Sequence, residues 1–278
     1  MNILAFTAAL WLGSVAAGVL GALTGLGGGV IIVPLLVLVF RVDVHYAIGA
    51  SLVSVIATSS GAAAAYVREG YSNIRVGMVL EIATTLGALS GATLATHVPA
   101  NGLAIVFGFV LMYSAYLSGH RAAGAPRDLT PDPLAAALRL DSSYPTPDGP
   151  RAYHVGRVPL GFGLMYAAGI LSGLLGIGSG AVKVIAMDQA MGLPFKVSTT
   201  TSNFMIGVTA AASAGIYLHR GYIDPGLAMP VVLGVLLGSM LGARIFALAG
   251  SQWLRRIFVW VIVAIAIEML YKGVTGNL

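Results

Sequence analysis

Gly25-Leu26-Gly27-Gly28-Gly29 runs into Val30-Ile31-Ile32-Val33-Pro34, and 151 residues later Gly176-Ile177-Gly178-Ser179-Gly180 runs into Ala181-Val182-Lys183-Val184-Ile185. The chain holds this register without a gap from Gly18 to Gly91 against Gly169 to Gly242. Seven glycines (Gly18, Gly25, Gly27, Gly29, Gly70, Gly87 and Gly91) fall on glycines of the second copy, where chance would give about two. Ser51 falls on Ser202, Tyr66 on Tyr217 and Tyr71 on Tyr222. Repeats of this length, each interrupted by glycine, are a sequence signature of membrane transporters.

Composition agrees. At 58% hydrophobic and 9% charged, with a mean hydropathy of +0.90, the chain has too few charged groups to clothe a soluble domain of 278 residues. Stretches of roughly 17 to 25 apolar residues can cross a bilayer as helices. They are expected near 3–23, 47–67, 76–97, 101–118, 158–175, 201–218, 226–249 and 254–271. Two shorter pieces, 30–40 and 181–191, follow the glycine clusters and are too short to span the hydrocarbon core alone. The fold class is therefore an all-α polytopic membrane protein of two repeats, with eight to ten membrane segments, some broken or re-entrant.

Residues 1–118 form the first membrane repeat, 119–157 a polar linker and 158–278 the second repeat. The linker's prolines argue against a folded domain and for a solvated connector, with Pro133–Leu140 as a short surface helix. Its five arginines place it in the cytoplasm. Counting crossings back from there puts the Arg41–His45 turn and both termini outside, with an odd number of crossings per copy and the copies inverted. Ten basic residues then lie inside against four outside. An even count would make the copies parallel and strand Arg255 and Arg256 outside. The expected location is a bacterial cytoplasmic (inner) membrane. The first segment has no basic residue ahead of it and belongs to the repeat, which speaks against a cleaved signal.

The absence of cysteine excludes disulfides, thiolate metal sites and thiol catalysis. No histidine pair has metal-ligand spacing, no Glu-x-x-His occurs, and no Gly-x-x-x-x-Gly-Lys-Ser/Thr loop is present for ATP. No cofactor, no metal, no nucleic acid and no enzymatic activity are expected; the partners are the lipid bilayer and a small anion. Trp11, Trp253 and Trp260 read as interfacial anchors.

Glycine clusters break a helix, and the first amides of the helical piece that follows point back into the break with a partial positive charge. Such an end receives an anion without a cationic side chain. That makes Gly27, Gly28 and Gly29 with Ser51, and Gly178, Ser179 and Gly180, candidate binding residues. The alternative is close helix packing, the expected role of Gly87-x-x-x-Gly91 and Gly234-x-x-x-Gly238-x-x-x-Gly242.

Ser198-Thr199-Thr200-Thr201-Ser202-Asn203 is read as opening a helix with six hydrogen-bonding side chains, and Thr201, Ser202 and Asn203 join the candidate site. Back-bonding to the helix is the competing reading for Thr199 and Thr200, and interhelical contact for Asn203. Lys183, three residues past Gly180 and aligned with Ile32, is the most unusual charge. It either holds or gates a ligand or snorkels to the surface. Glu81 and Glu268 are expected to reach the interface, with proton coupling as the alternative.

Gly18-x-x-Gly21-x-x-x-Gly25-x-Gly27-Gly28-Gly29-x-x-x-x-Pro34 with Ser51-Leu52, repeated as Gly169-x-x-x-Gly173-x-x-Gly176-x-Gly178-x-Gly180 with Thr201-Ser202-Asn203, resembles the TauE/SafE family of sulfite exporters, also called the toluene sulfonate uptake permease family. The resemblance covers both copies. It implies transport of sulfite, sulfonates, sulfoacetate or related sulfur anions in either direction. The second motif departs from it by placing Ser179 for a central glycine, losing the proline at Ile185 and adding Lys183. The expected function is a secondary transporter of a small sulfur oxyanion working by alternating access, with a passive anion channel on the same scaffold as the alternative.

Overall fold

The computed structural model describes residues 2–24, 29–68, 70–120, 132–146, 149–248 and 251–276. The first copy comprises α1 (Ile3–Thr24), α2 (Gly29–Pro34), α3 (Val44–Arg68), α4 (Ile74–Ala95) and α5 (Ala100–His120). The second comprises α7 (Val158–Leu175), α8 (Gly180–Ile185), α9 (Phe195–His219), α10 (Pro225–Leu248) and α11 (Ser251–Thr275). Between them lie α6 (Pro133–Ala137) and a hairpin of β1 (Ser142–Thr146) and β2 (Gly149–Tyr153). The protein is an all-α polytopic membrane protein. Among the described residues, stretches of α1, α4, α7 and α10 are long and apolar enough to cross a bilayer by themselves. Every expected apolar segment falls on a helix, apart from a residue or two at some C-terminal ends.

α2 and α8 each continue without a break into π-helical turns, Leu35–Val39 and Ala186–Ala190. Pro34 precedes the first and Ile185 the second. The widening occurs with and without proline, so proline is not its cause.

Packing exchanges the copies. α1 packs on α10 as α7 packs on α4; α3 meets α10 as α9 meets α4; α3 packs on α9 and α5 on α11. Glycine makes the first of these contacts close. A Cβ at Gly87 would stand 2.1 Å from the Tyr166 carbonyl oxygen and one at Gly173 2.1 Å from that of Ala88. On the other pair, a Cβ at Gly238 would stand 2.1 Å from the Val15 carbonyl oxygen. The expected packing role of Gly87, Gly91, Gly234 and Gly238 holds, because backbone itself fills the space a side chain would need.

The helices on either side of each glycine cluster pack antiparallel. Phe6 packs edge-on against Phe40 at 5.7 Å, and Gly13 lies against Leu35 and Phe40, so α1 and α2 run back to one end of the bundle. That end also holds His45, whose Nε2 lies 3.2 Å from the Ala95 carbonyl oxygen and whose ring stacks on Tyr222 at 5.0 Å. Gly161 lies against Met191, and the Gly156 amide donates to the Met191 carbonyl at 3.0 Å, so α7 and α8 run back to the opposite end. Lys196 lies there, 3.6 Å above the Tyr71 ring.

The linker differs from the solvated connector that its prolines suggested. α6 appears where the sequence places it, but the hairpin after it is folded onto the bundle. Ala135, Leu140, Tyr153 and Val155 are buried against Val76 and Leu80 of α4, Met187, Met191, Leu193 and Val197. Prolines at 145 and 150 face each other in the antiparallel register of a two-stranded sheet, where an edge position needs no N–H from them. Asp132 caps α6 and accepts from the Val158 amide at 2.8 Å and the Leu134 amide at 2.9 Å, which together hold its carboxyl below the ordinary value. Asn73 clamps the assembly. It donates to the Leu140 carbonyl at 2.9 Å and to Tyr153 Oη at 2.8 Å, while its Oδ1 accepts from the Val76 amide at 3.1 Å.

Candidate functional site

The start of α2 meets the second glycine break inside the bundle. Ser51 Oγ donates to the Gly176 carbonyl at 2.8 Å, and a Cβ at Gly29 would stand 3.0 Å from that same oxygen. Gly29 opens α2; Gly27 and Gly28, the other candidates of the first cluster, lie outside the described residues. In the second break Gly176 and Gly178 take positive φ values of 67° and 69°, which release α7 and redirect the chain into α8. Ser179 takes φ of 43° without being glycine, and its Oγ donates to the Ala168 carbonyl at 2.6 Å. Gly180 lies against Ile206, where a Cβ would come within 2.7 Å of Cδ1. Val30, Ser114, Ser179, Gly180 and Val182 line a narrow crevice at this junction.

The hydroxyl run on α9 is less available than its composition suggested. The helix starts at Phe195, so these side chains lie within its first turns and not at its opening. Ser198 donates to the Leu193 carbonyl at 3.4 Å, and Thr199 and Thr200 bond back to Phe195 and Lys196 at 2.9 and 3.0 Å. Back-bonding, the competing reading for Thr199 and Thr200, describes both, while Ser198 bonds the turn ahead of the helix. Thr201 Oγ1 accepts from the Asn73 amide at 3.0 Å, and Ser202 Oγ donates to the Gly180 carbonyl at 3.3 Å. Ser202 thus repeats at the second break the weaker contact of Ser51 with Gly29 at 3.5 Å. Asn203 is half-buried and its amide bonds no other described residue.

Lys183 does not snorkel. It is 0% exposed, and Nζ donates to Thr209 Oγ1 at 2.5 Å. Thr209 in turn lies 2.7 Å from Glu81 Oε1 and 2.9 Å from the Met205 carbonyl. A hydroxyl has one proton to give, and with the ammonium donating to its oxygen that proton is directed to the carboxylate or the carbonyl. The geometry is a buried relay from ammonium through hydroxyl to carboxylate.

Glu81 corrects a second expectation, since it lies inside the bundle at 8% exposure and not at the interface. The reason is the packing of α4 on α9. Asn73 meets Thr201 and, eight residues on along both helices, Glu81 meets Thr209. Glu81 Oε1 also accepts from Thr85 at 3.2 Å, while Oε2 is buried with no hydrogen-bond partner. Glu268 pairs with Lys272 at 3.8 Å on an exposed turn.

The profile of the family described as "Sulfite exporter TauE/SafE" matches residues 10–269. The chain belongs to the TauE/SafE sulfite exporter family. Its curated relatives include YunE of Bacillus subtilis (strain 168), described as a probable membrane transporter protein, 27% identical over 93% of this chain and 95% of that one. YdhB of the same organism, described likewise, is 28% identical over 82% and 85% of the two chains. The probable membrane transporter protein ORF9 of a Sinorhizobium species is 25% identical over 97% and 93%. No solved structure matches. The protein is a membrane transporter of the TauE/SafE type.

Within this TauE/SafE chain the buried relay joins the two copies, Glu81 from the first and Lys183 with Thr209 from the second, and has no counterpart in the repeat register. In the 151-residue register, Lys183, Thr209 and Glu81 correspond to Ile32, Thr58 and Val232. Thr58 bonds back to its own helix at 3.0 Å. Sequence reasoning singled out Lys183 but missed Thr209 and the inward turn of Glu81. A charge inside an apolar stretch was the signal for Glu81, and the partner on another helix is what the linear chain conceals.

Proposed function

We propose that this protein is a secondary transporter that moves a small sulfur-containing oxyanion across the cytoplasmic membrane by alternating access. One observation carries the reading: a lysine with no exposure stands one turn into the helix that follows the second glycine break, where the first amides of the continuous α8 and its π turns have no intrahelical partner. Two of the three ammonium donors remain beyond the bond to Thr209, and Asn203 offers an uncommitted amide on the adjacent helix. Membership of the sulfite exporter family supports sulfur as the central atom of the anion.

In this reading Gly178, Ser179, Gly180, Lys183 and Asn203 hold the anion from the second copy, and Gly27, Gly28, Gly29 and Ser51 close on it from the first. Thr201 and Ser202 shape the site through their bonds to Asn73 and Gly180. The hairpins enter from opposite faces, the copies are inverted, the linker lies in the cytoplasm and both termini lie outside. Tilting one hairpin tip from the other would open the crevice to either side in turn.

A thermal-stability panel of sulfite, sulfate, thiosulfate, sulfoacetate and simple carboxylates tests the reading. A bound anion at a hundred times its Kd adds roughly 2.7 kcal/mol. Selective stabilisation by one sulfur oxyanion, weakened roughly tenfold or more in affinity by Asn203→Ala with unchanged stability in its absence, is the expected result. Equal response to carboxylates, or none to any anion, would refute it.

A further inference from the structure

Glu81 has no task in the binding of an anion, yet it is buried beside the one cation that the site contains. Charge bookkeeping shows what it can do. With the site empty, Lys183 and Glu81 balance through Thr209. An arriving monoanion gives two negative charges around one ammonium in a medium where uncompensated charge costs several kcal/mol. Glu81 Oε2 is buried and unpartnered, so it can accept a proton without surrendering any bond that Oε1 makes to Thr209 or Thr85.

We infer that Glu81 is the carrier of a proton that travels with the anion: the oxyanion takes the charge of Lys183, and the Glu81 carboxylate binds one proton from hydronium at Oε2. One O–H bond of hydronium breaks as the carboxyl O–H bond forms, leaving water, no other covalent bond changes, and both the empty and the loaded site are neutral. The site crosses between its two openings in those states alone, which makes anion and proton movement obligatory partners. The inference rests on the anion reading above.

The surroundings of Glu81 single out Lys183. α4 packs on α7 and α9. On α7, Tyr166 is engaged with Ser90 at 3.2 Å. On α9, Lys196 lies over Tyr71, Tyr217 donates to the Gly173 carbonyl at 3.1 Å, and His219 ends the helix. From the linker, Tyr153 bonds Asn73, and Arg75 on α4 itself reaches the Arg139 carbonyl at 3.3 Å. Asp188 sits in the π turns beyond α8. Among the charged groups of the described residues, Lys183 alone is linked to Glu81, through Thr209. The equivalent positions Ile32, Thr58 and Val232 hold no ionisable group, so one proton site per chain follows.

The experiment titrates the purified full-length protein with sulfite and with methanesulfonate, which stays ionised throughout. Proton uptake is read in weak buffer with an indicator dye, and affinity is read across pH. The wild type should take up close to one proton per anion and bind methanesulfonate about tenfold more tightly for each unit that pH falls. Glu81→Gln, which mimics the protonated group, should bind with no such slope, and the excess uptake of the wild type over it should vanish at low pH. Binding of either anion by the wild type with a flat pH profile overturns the inference while sparing the anion reading, and needs no variant to fold. A slope that persists in a folded Glu81→Gln also overturns it. Failure of both anions to bind removes the anion reading and this inference together.

Discussion

Lys183 and Glu81 illustrate how far a single residue can be read. The lysine announces itself in the sequence because an ammonium between two valines has no apolar explanation. Its partner lies 102 residues away on another helix, and the link passes through a threonine whose like-for-like counterpart, Thr58, merely bonds its own backbone. Removing half of a buried pair costs about 3 to 5 kcal/mol, because it leaves the other charge uncompensated, whereas removing both is often neutral. Lys183→Met should therefore lower thermal stability strongly, and Lys183→Met combined with Glu81→Gln should recover most of the loss. Additive losses in that double-mutant cycle would mean that the two groups do not act as a pair. The hydroxyls of α9 teach the reverse lesson. Composition suggested six hydrogen-bonding side chains for a ligand, but local carbonyls engage three of them, Ser202 donates to Gly180 and Thr201 accepts from Asn73, leaving Asn203.

At the scale of elements, the apolar stretches are legible because bilayer thickness sets their length, and the helices coincide with them to within a few residues. Glycine spacing also foretold which helices touch closely. Gly87→Ala should force backbones apart, with a loss of about 2 kcal/mol or more in stability, since the clash is with the Tyr166 carbonyl and not a flexible side chain. Gly163→Ala on α7 is the control: nothing lies within 4 Å of its Cβ, and helix propensity should make it neutral or slightly stabilising. Equal effects of the two changes on the melting temperature of the purified protein would contradict this packing. The linker hairpin was not legible, because proline content signals disorder and only the neighbouring helix ends supply the apolar surface that folds it. Asp132 ties it down. Its carboxyl is held below the ordinary 3.8 by the Val158 amide first and the Leu134 amide second. Its contribution is thus complete above that value and fades as pH falls through the lower, folded one. Amide exchange of α6 and Val158 should accelerate in that acid window, and Asp132→Asn should flatten the dependence there.

At the scale of the molecule, the 151-residue echo in the sequence is accompanied by an exchange of packing partners, α1 on α10 and α7 on α4. The proposed orientation in the bilayer rests on arginine placement. The native chain lacks cysteine, so single cysteines at Asp43, Tyr144 and Asp224 can be labelled without background. Asp43→Cys and Asp224→Cys should react with an impermeant maleimide from outside intact cells and Tyr144→Cys only after lysis. Labelling of all three from one side would reject the inverted arrangement.

Counterflow in proteoliposomes tests the central claim of a sulfur-anion transporter most directly. Vesicles loaded with radiolabelled sulfite are diluted into medium with and without unlabelled sulfite. External sulfite should accelerate exit of the label, saturably, and Lys183→Ala should abolish the acceleration. Exit that rises linearly with the gradient and ignores external sulfite would identify a passive pore, and no protein-dependent flux of sulfite or any sulfonate would contradict the account altogether.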